Sequence, residues 1–177
     1  VGGGYVRVGL DHYARPGDKL AQAVADQRLQ RNFQGYVADD PPWVVGIGAS
    51  AISCLPDGFS QNVSDPAEYM ATMERGSFAT VRGIAVGTED RLRGDIISQL
   101  MCQYAADVDA TCRKYGAEAD AFLAEIGGLG SLVRDGLVSI DGGCLAVTER
   151  GRPLVRSVCA AFDRYYTGVE GRHARGI

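Results

Sequence analysis

Apolar and polar residues alternate along Tyr5-Val6-Arg7-Val8-Gly9-Leu10, and this period of two predicts a strand over 5–10. Asp11, His12 and Tyr13 stand at its C-terminal end, where ligands meet the protein in many α/β folds. The period then lengthens. Leu20, Val24 and Leu29 share one helical face, and Asp18 stands at the start as a cap, so a helix is predicted over 18–29. Arg31-Asn32-Phe33-Gln34-Gly35-Tyr36 reads as a polar loop. The run Trp43-Val44-Val45-Gly46-Ile47-Gly48-Ala49-Ser50-Ala51-Ile52-Ser53 is apolar and punctuated by glycine. It predicts a buried parallel strand followed by a tight loop. Phe59–Asn62 reads as a further short segment, and Asp65-Pro66 opens a helix over 66–75 that Gly76 ends.

Residues 77–87 read as a glycine-spaced junction, after which the pattern changes. Thr88 caps a long helix in which Leu92, Ile96, Ile97, Leu100, Met101, Tyr104 and Val108 recur at helical spacing. Glu89 and Asp90 suit its positive end. Further helices are predicted over 117–126 and 128–135. Leu137–Ile140 and Leu145–Val147 flank Asp141-Gly142-Gly143, a strong hairpin signal. Thr148 opens a last helix over 149–166, and 167–177 is expected to fray. Helices, a hairpin and a closing helix together resemble a winged-helix module. The 131–134 stretch before the hairpin is poor in groove-reading side chains, so a nucleic-acid partner is not expected.

The composition narrows the function classes. Apolar residues make up 46% and charged residues 23% of 177, which excludes a disordered chain. No apolar run approaches the roughly 18 residues that a membrane helix needs. A net charge of −4 argues against a protein built to neutralise phosphates. Glycine, 24 of 177, is about twice its usual share of roughly 7%. Arginine supplies all of the basic residues except Lys19 and Lys114, and it pairs bidentately with carboxylates where lysine does not. Cys54, Cys102, Cys112, Cys144 and Cys159 are scattered and odd in number, as in reduced thiols of a cytoplasmic protein. With His12 and His173 the only histidines, no residue is assigned to a metal. The opening Val1-Gly2-Gly3-Gly4 has no initiator Met and no basic n-region, so the chain is expected to be part of something longer.

No nucleophile–base pair stands out, and Gly46-Ile47-Gly48 lacks the third glycine of a dinucleotide turn. The richest constellation is 31–36: a guanidinium, two amides and two aromatics in six residues. Phe33 can stack on a flat heterocycle, Gln34 can hydrogen-bond a base edge or an amino-acid group, and Gly35 permits a turn that exposes these two side chains.

Gly9-Leu10-Asp11-His12-Tyr13, Leu29-Gln30-Arg31-Asn32-Phe33-Gln34-Gly35-Tyr36 and Gly46-Ile47-Gly48-Ala49-Ser50-Ala51-Ile52-Ser53 closely resemble oxygen-independent coproporphyrinogen III oxidase, a radical S-adenosylmethionine enzyme of haem and chlorophyll synthesis. Arg82-Gly83-Ile84-Ala85, Asp135-Gly136-Leu137-Val138 and Val147-Thr148-Glu149-Arg150-Gly151-Arg152 continue the resemblance in order. The family's CxxxCxxC motif, whose thiolates hold a [4Fe–4S] cluster, is absent here. The resemblance therefore implies the C-terminal part of the enzyme. Its fold class is α/β plus mainly α: terminal strands and helices of an incomplete (β/α) barrel over 1–76, a junction over 77–87, and a helical, winged-helix-like domain over 88–177.

The activity so implied is oxidative decarboxylation of two propionates of coproporphyrinogen III to vinyl groups, giving protoporphyrinogen IX. The cofactors of the parent enzyme are S-adenosylmethionine and a [4Fe–4S] cluster. By resemblance, Phe33 and Ile52 give apolar contact and Gln34 polar contact to S-adenosylmethionine. No catalytic residue of the family maps onto this chain. Arg31 is added as a partner for a substrate propionate, because burying a carboxylate alone is costly. The chain by itself is expected to bind no cofactor, to be inactive, and to self-associate through strands that have lost their neighbours. A non-catalytic haem-handling module derived from the family is the competing reading.

Overall fold

The computed structural model describes residues 3–32, 34–39, 41 and 43–166. The chain begins with β1 (Val6–Val8), β2 (His12–Ala14), α1 (Lys19–Ala25), β3 (Gln30–Asn32) and β4 (Gly35–Val37). It continues with β5 (Ile52–Leu55), β6 (Gly58–Asn62), α2 (Pro66–Glu74) and β7 (Thr80–Ala85). Then come α3 (Thr88–Gln103), β8 (Ala105–Asp107), α4 (Val108–Lys114), α5 (Ala119–Glu125) and α6 (Leu129–Arg134). The last elements are β9 (Val138–Asp141), β10 (Cys144–Val147), a 3₁₀ turn at Arg152–Leu154 and α7 (Val155–Ala160). Two compact units result. One holds the described residues up to Asp39 and those from Leu92 onward; the other holds the residues between.

The first unit has two hydrophobic clusters. In the larger, Leu92, Ile96 and Leu100 of α3 meet Val108 and Cys112 of α4, Phe122, Leu145, and Val155, Val158 and Phe162 at the C-terminal side. Phe162 has no solvent exposure and stacks on Phe122 at 6.3 Å. Burying an aromatic of this size is worth about 2–3 kcal/mol. The smaller cluster joins Val8, Ala14, Ala23, Leu29, Tyr36 and Cys102. Every strand pairing in this unit is antiparallel: β1 with β2, β3 with β4, and β10 between β8 and β9. In the β9–β10 hairpin Gly142 and Gly143 both have positive φ, as a two-residue primed turn requires.

The second unit is an antiparallel sheet in the order β5-β6-β7, with α2 following β6 in the chain. Leu55 pairs with Gly58, so Pro56-Asp57 turns the β5–β6 hairpin. Asp65 caps α2 by accepting from the Glu68 amide at 2.8 Å, and Gly76 leaves the helix at φ +70°.

Six expectations change. The 5–10 strand is shorter than expected: β1 ends at Val8 and the chain turns at once into the antiparallel β2, with Gly9 at φ +55° reversing it. The 31–36 loop is a hairpin, with Tyr36 buried on its second strand. The 43–53 run is not a buried parallel strand. Val44 makes one antiparallel bridge to Cys54, while Trp43, Val45 and Ile47 are exposed. Gly46 and Gly48 interrupt it, and the ladder goes to β5, whose Pro56-Asp57 turn supplies an adjacent partner. The expected junction contains β7, paired with β6 from Gly58 to Asn62. Finally, the helix from 88 stops at Gln103: Tyr104 is left-handed (φ +59°), β8 joins β10, and the Asp107 side chain caps a separate α4 through the Ala110 amide at 2.7 Å. The 149–166 helix shortens likewise to the 3₁₀ turn and α7, because Pro153 lacks an amide hydrogen. The expected fray at 167–177 lies outside the described residues.

Candidate functional site

In the first unit, the residues singled out from the sequence gather on two hairpins. Asn32 Oδ1 accepts from the Gln34 amide at 2.9 Å, so the first of the two amides of the motif shapes the turn. Gln34 itself is exposed at the tip. Phe33 lies outside the described residues. Tyr36 crosses from β4 toward the β1–β2 turn. Its hydroxyl accepts from the Leu10 amide at 2.9 Å and donates to the Met101 carbonyl at 3.3 Å. Burial pushes the phenol's pKa up, so the hydroxyl stays protonated and able to donate.

Two groups lie against the Tyr36 ring. The Arg31 guanidinium stands over it, 5.6 Å from the centroid, and the His12 imidazole meets it edge-on at 5.2 Å. His12 Nδ1 donates to Asp11 at 2.9 Å, and Arg156 reaches the other Asp11 oxygen at 3.3 Å. The His12 hydrogen bond holds the Asp11 carboxyl below the usual aspartate range, opposed by partial burial and helped by the nearby cations. Tyr104 donates from its hydroxyl to the Gly9 carbonyl at 2.8 Å, and Arg152 stacks over the Tyr104 ring at 5.0 Å. Arg31 therefore sits in a built neighbourhood of aromatic and charged groups. Tyr36 and Tyr104 were not assigned as site residues from the sequence; the positive φ that Gly9 adopts was the available signal.

Ile52 belongs to the second unit. It lines an open cavity of about 220 Å³ with Phe59, Ser60, Gln61, Arg82, Gly83 and Ile84. The walls are apolar at Ile52, Phe59 and Ile84. Arg82 closes one side by donating to Gln61 Oε1 from Nε at 2.7 Å and from a second guanidinium nitrogen. Gly83 keeps the strands close: a Cβ there would stand 2.8 Å from the Phe59 carbonyl oxygen.

The cysteines form no metal set, and among the described residues no three His, Cys, Asp or Glu side chains converge on one point. Cys102 and Cys159 are buried, which pushes their thiols up to about 11 and about 12. No helix among the described residues is long and apolar enough to cross a membrane.

Comparison with known proteins gives this arrangement its class. Residues 88–154 match the family model of the HemN C-terminal domain. Oxygen-independent coproporphyrinogen III oxidase of Bradyrhizobium diazoefficiens is 43% identical over 174 residues, which cover 98% of this chain and 39% of that protein. The enzyme of the same name from Pseudomonas aeruginosa is 40% identical over 163 residues, covering 92% and 35%. A solved structure, described as coproporphyrinogen III oxidase (HemN) from Escherichia coli, a radical SAM enzyme, superposes with a TM-score of 0.84 at 37% identity, covering 92% of this chain and 38% of that one. Along nearly all of its length the chain is thus a relative of oxygen-independent coproporphyrinogen III oxidases, and it spans about two fifths of their length.

Proposed function

We propose that this chain is the C-terminal part of a radical S-adenosylmethionine oxidoreductase that decarboxylates two propionates of coproporphyrinogen III to vinyl groups, giving protoporphyrinogen IX. One observation carries the proposal: 98% of the chain aligns at 43% identity with an enzyme of that activity's name. The family match that starts at residue 88 supports a boundary between a C-terminal domain over 88–177 and a barrel-derived portion over 1–76, joined through 77–87. The order α3, β8, α4, α5, α6, β9, β10 supports reading that domain as winged-helix-like. We assign it no nucleic-acid role and place it in the cytoplasm.

When bound, S-adenosylmethionine with a [4Fe–4S] cluster supplies the radical chemistry that removes hydrogen from a propionate. This chain contributes binding groups. Ile52 presents apolar surface at the mouth of its cavity and excludes water from whatever lies against it. Gln34, exposed at the β3–β4 tip, offers a donor and an acceptor, and Phe33 beside it offers a stacking face. Arg31, whose guanidinium stands over the Tyr36 ring, offers that group to a propionate. No residue of this chain is assigned to the cluster or to a proton transfer. The chain alone is therefore expected to hold no cluster and to be inactive.

A chimaera tests this. The matching portion of the Bradyrhizobium enzyme is replaced by this chain, the cluster is reconstituted anaerobically, and vinyl product is assayed. Turnover is expected. A chimaera that folds and carries its cluster but makes no vinyl product overturns the proposal, as does a stoichiometric [4Fe–4S] signal from the isolated chain.

A further inference from the structure

The turn between β1 and β2 is ringed by four arginines. Arg7 donates to the Leu10 carbonyl at 3.0 Å, Arg31 stands over Tyr36, Arg152 over Tyr104, and Arg156 reaches Asp11. The two tyrosine hydroxyls grip the backbone of the same turn at Leu10 and Gly9. The ring is thus mounted on a fixed piece of chain rather than on a loose loop.

Two of the four guanidiniums already have carboxylates: Arg156 has Asp11, and Arg152 has Glu149 at 3.0 Å. Arg7 and Arg31 are exposed and make no ion pair among the described residues. In a chain with a net charge of −4, this leaves two guanidiniums at one turn without a carboxylate of their own, Arg31 acting on Asp11 only at longer range. Among the described residues no hydrogen bond engages the Arg31 guanidinium. Its N–H groups lie in the plane of the guanidinium and remain available to a ligand. A guanidinium already held by a ring also loses less freedom when it binds. Carboxylates fit this turn better than phosphates. The ring already accommodates Asp11 and Glu149, and an excess of two charges is balanced by two monoanionic groups.

We propose that the β1–β2 turn is a carboxylate-recognition site at which Arg7 and Arg31 receive two carboxylates of one ligand. Resting on the function proposed above, that ligand is the porphyrinogen, held through propionates.

The test titrates the 177-residue chain with coproporphyrin III, which carries the same propionates, and follows porphyrin fluorescence. Its tetramethyl ester is the uncharged control, and tricarballylate is titrated separately by calorimetry. Saturable binding of coproporphyrin is expected, weakening as salt is raised. Arg31→Gln and Arg7→Gln should each weaken it about tenfold. Arg28→Gln should leave it unchanged, since Arg28 already pairs with Asp26 at 2.8 Å. Circular dichroism checks each variant, and if Arg7→Gln does not fold, Arg31→Gln decides. Equal binding by Arg31→Gln and wild type, equal binding of the ester, or no binding of either acid overturns the site. Arg31-dependent binding of tricarballylate without any binding of coproporphyrin keeps the site and overturns the porphyrinogen as its ligand.

Discussion

The Tyr36 ring occupies the space in which a side chain at residue 9 would begin: a Cβ on Gly9 would stand 2.0 Å from Tyr36 Cζ. The same ring carries the hydroxyl that receives the Leu10 amide, so one side chain from β4 shapes and secures the β1–β2 turn. Gly9→Ala should therefore be destabilising twice over, through its φ of +55° and through the clash, by about 2–4 kcal/mol in urea unfolding. Tyr36→Phe keeps the ring and leaves the Leu10 amide without its acceptor, which should cost about 1–2 kcal/mol. If Gly9→Ala unfolds at the wild-type midpoint, the packing described here is wrong.

Thiol reactivity should divide along burial. Cys144 is exposed, whereas Cys102, Cys112 and Cys159 are buried. A thiol reacts as its thiolate. With pKa values of about 11 and about 12, Cys102 and Cys159 are almost wholly protonated at pH 8, and raising the pH toward those values increases the reactive form. A disulfide reagent at pH 8 should modify Cys144 within minutes and reach Cys102 and Cys159 only in denaturant. Mass mapping of the labelled peptides checks this.

In the chimaeric enzyme described above, Ile52→Ala and Phe33→Ala should each raise the S-adenosylmethionine concentration needed for half-maximal turnover. Removing a large apolar contact of this kind typically costs about 1–3 kcal/mol, or roughly ten- to a hundredfold in affinity. Iron content and the cluster's absorption should not change. Unaltered half-saturation in both variants would count against these two positions as cofactor contacts.

The edge of the second unit's sheet predicts association. Every residue of β7 from Thr80 to Ala85 is exposed, Val81 and Ile84 included. A strand of this kind offers unpaired amides and carbonyls to another strand. Light scattering of the isolated chain should show a dimer or larger species that grows with concentration. Val81→Lys should reduce it by placing a charge on the edge. A monomer at all concentrations would contradict this expectation.

Much of the local structure was legible in the residues themselves. Asp18 and Asp65 cap α1 and α2 through amides two and three residues away. Gly142-Gly143 turns β9 into β10, and Gly136 closes α6 at φ +67°. These signals work because cause and effect lie within a few residues. The motif at 31–36 was equally visible as a place of concentrated chemistry, and it stands on a hairpin tip next to an arginine-rich turn.

Three features were settled by contacts that no local pattern encodes. From the sequence Tyr36 reads only as one aromatic of a polar loop; it is buried, and its hydroxyl meets Leu10, 26 residues earlier, and Met101, 65 residues later. The apolar spacing across Tyr104 looked helical, but Tyr104 reaches Gly9 across 95 residues and the chain between it and Val108 joins β10. The run at 43–48 has a buried strand's composition, and the ladder went instead to β5, which has its partner one turn away. Sequence alone determined the caps of α1 and α2 and the glycine turns after α2, after α6 and between β9 and β10, since those depend on backbone freedom and nearby hydrogen bonds. Only the tertiary structure decided that β8 joins β10 and that Tyr36 is buried, because both depend on distant partners competing for the same backbone groups and the same dry space.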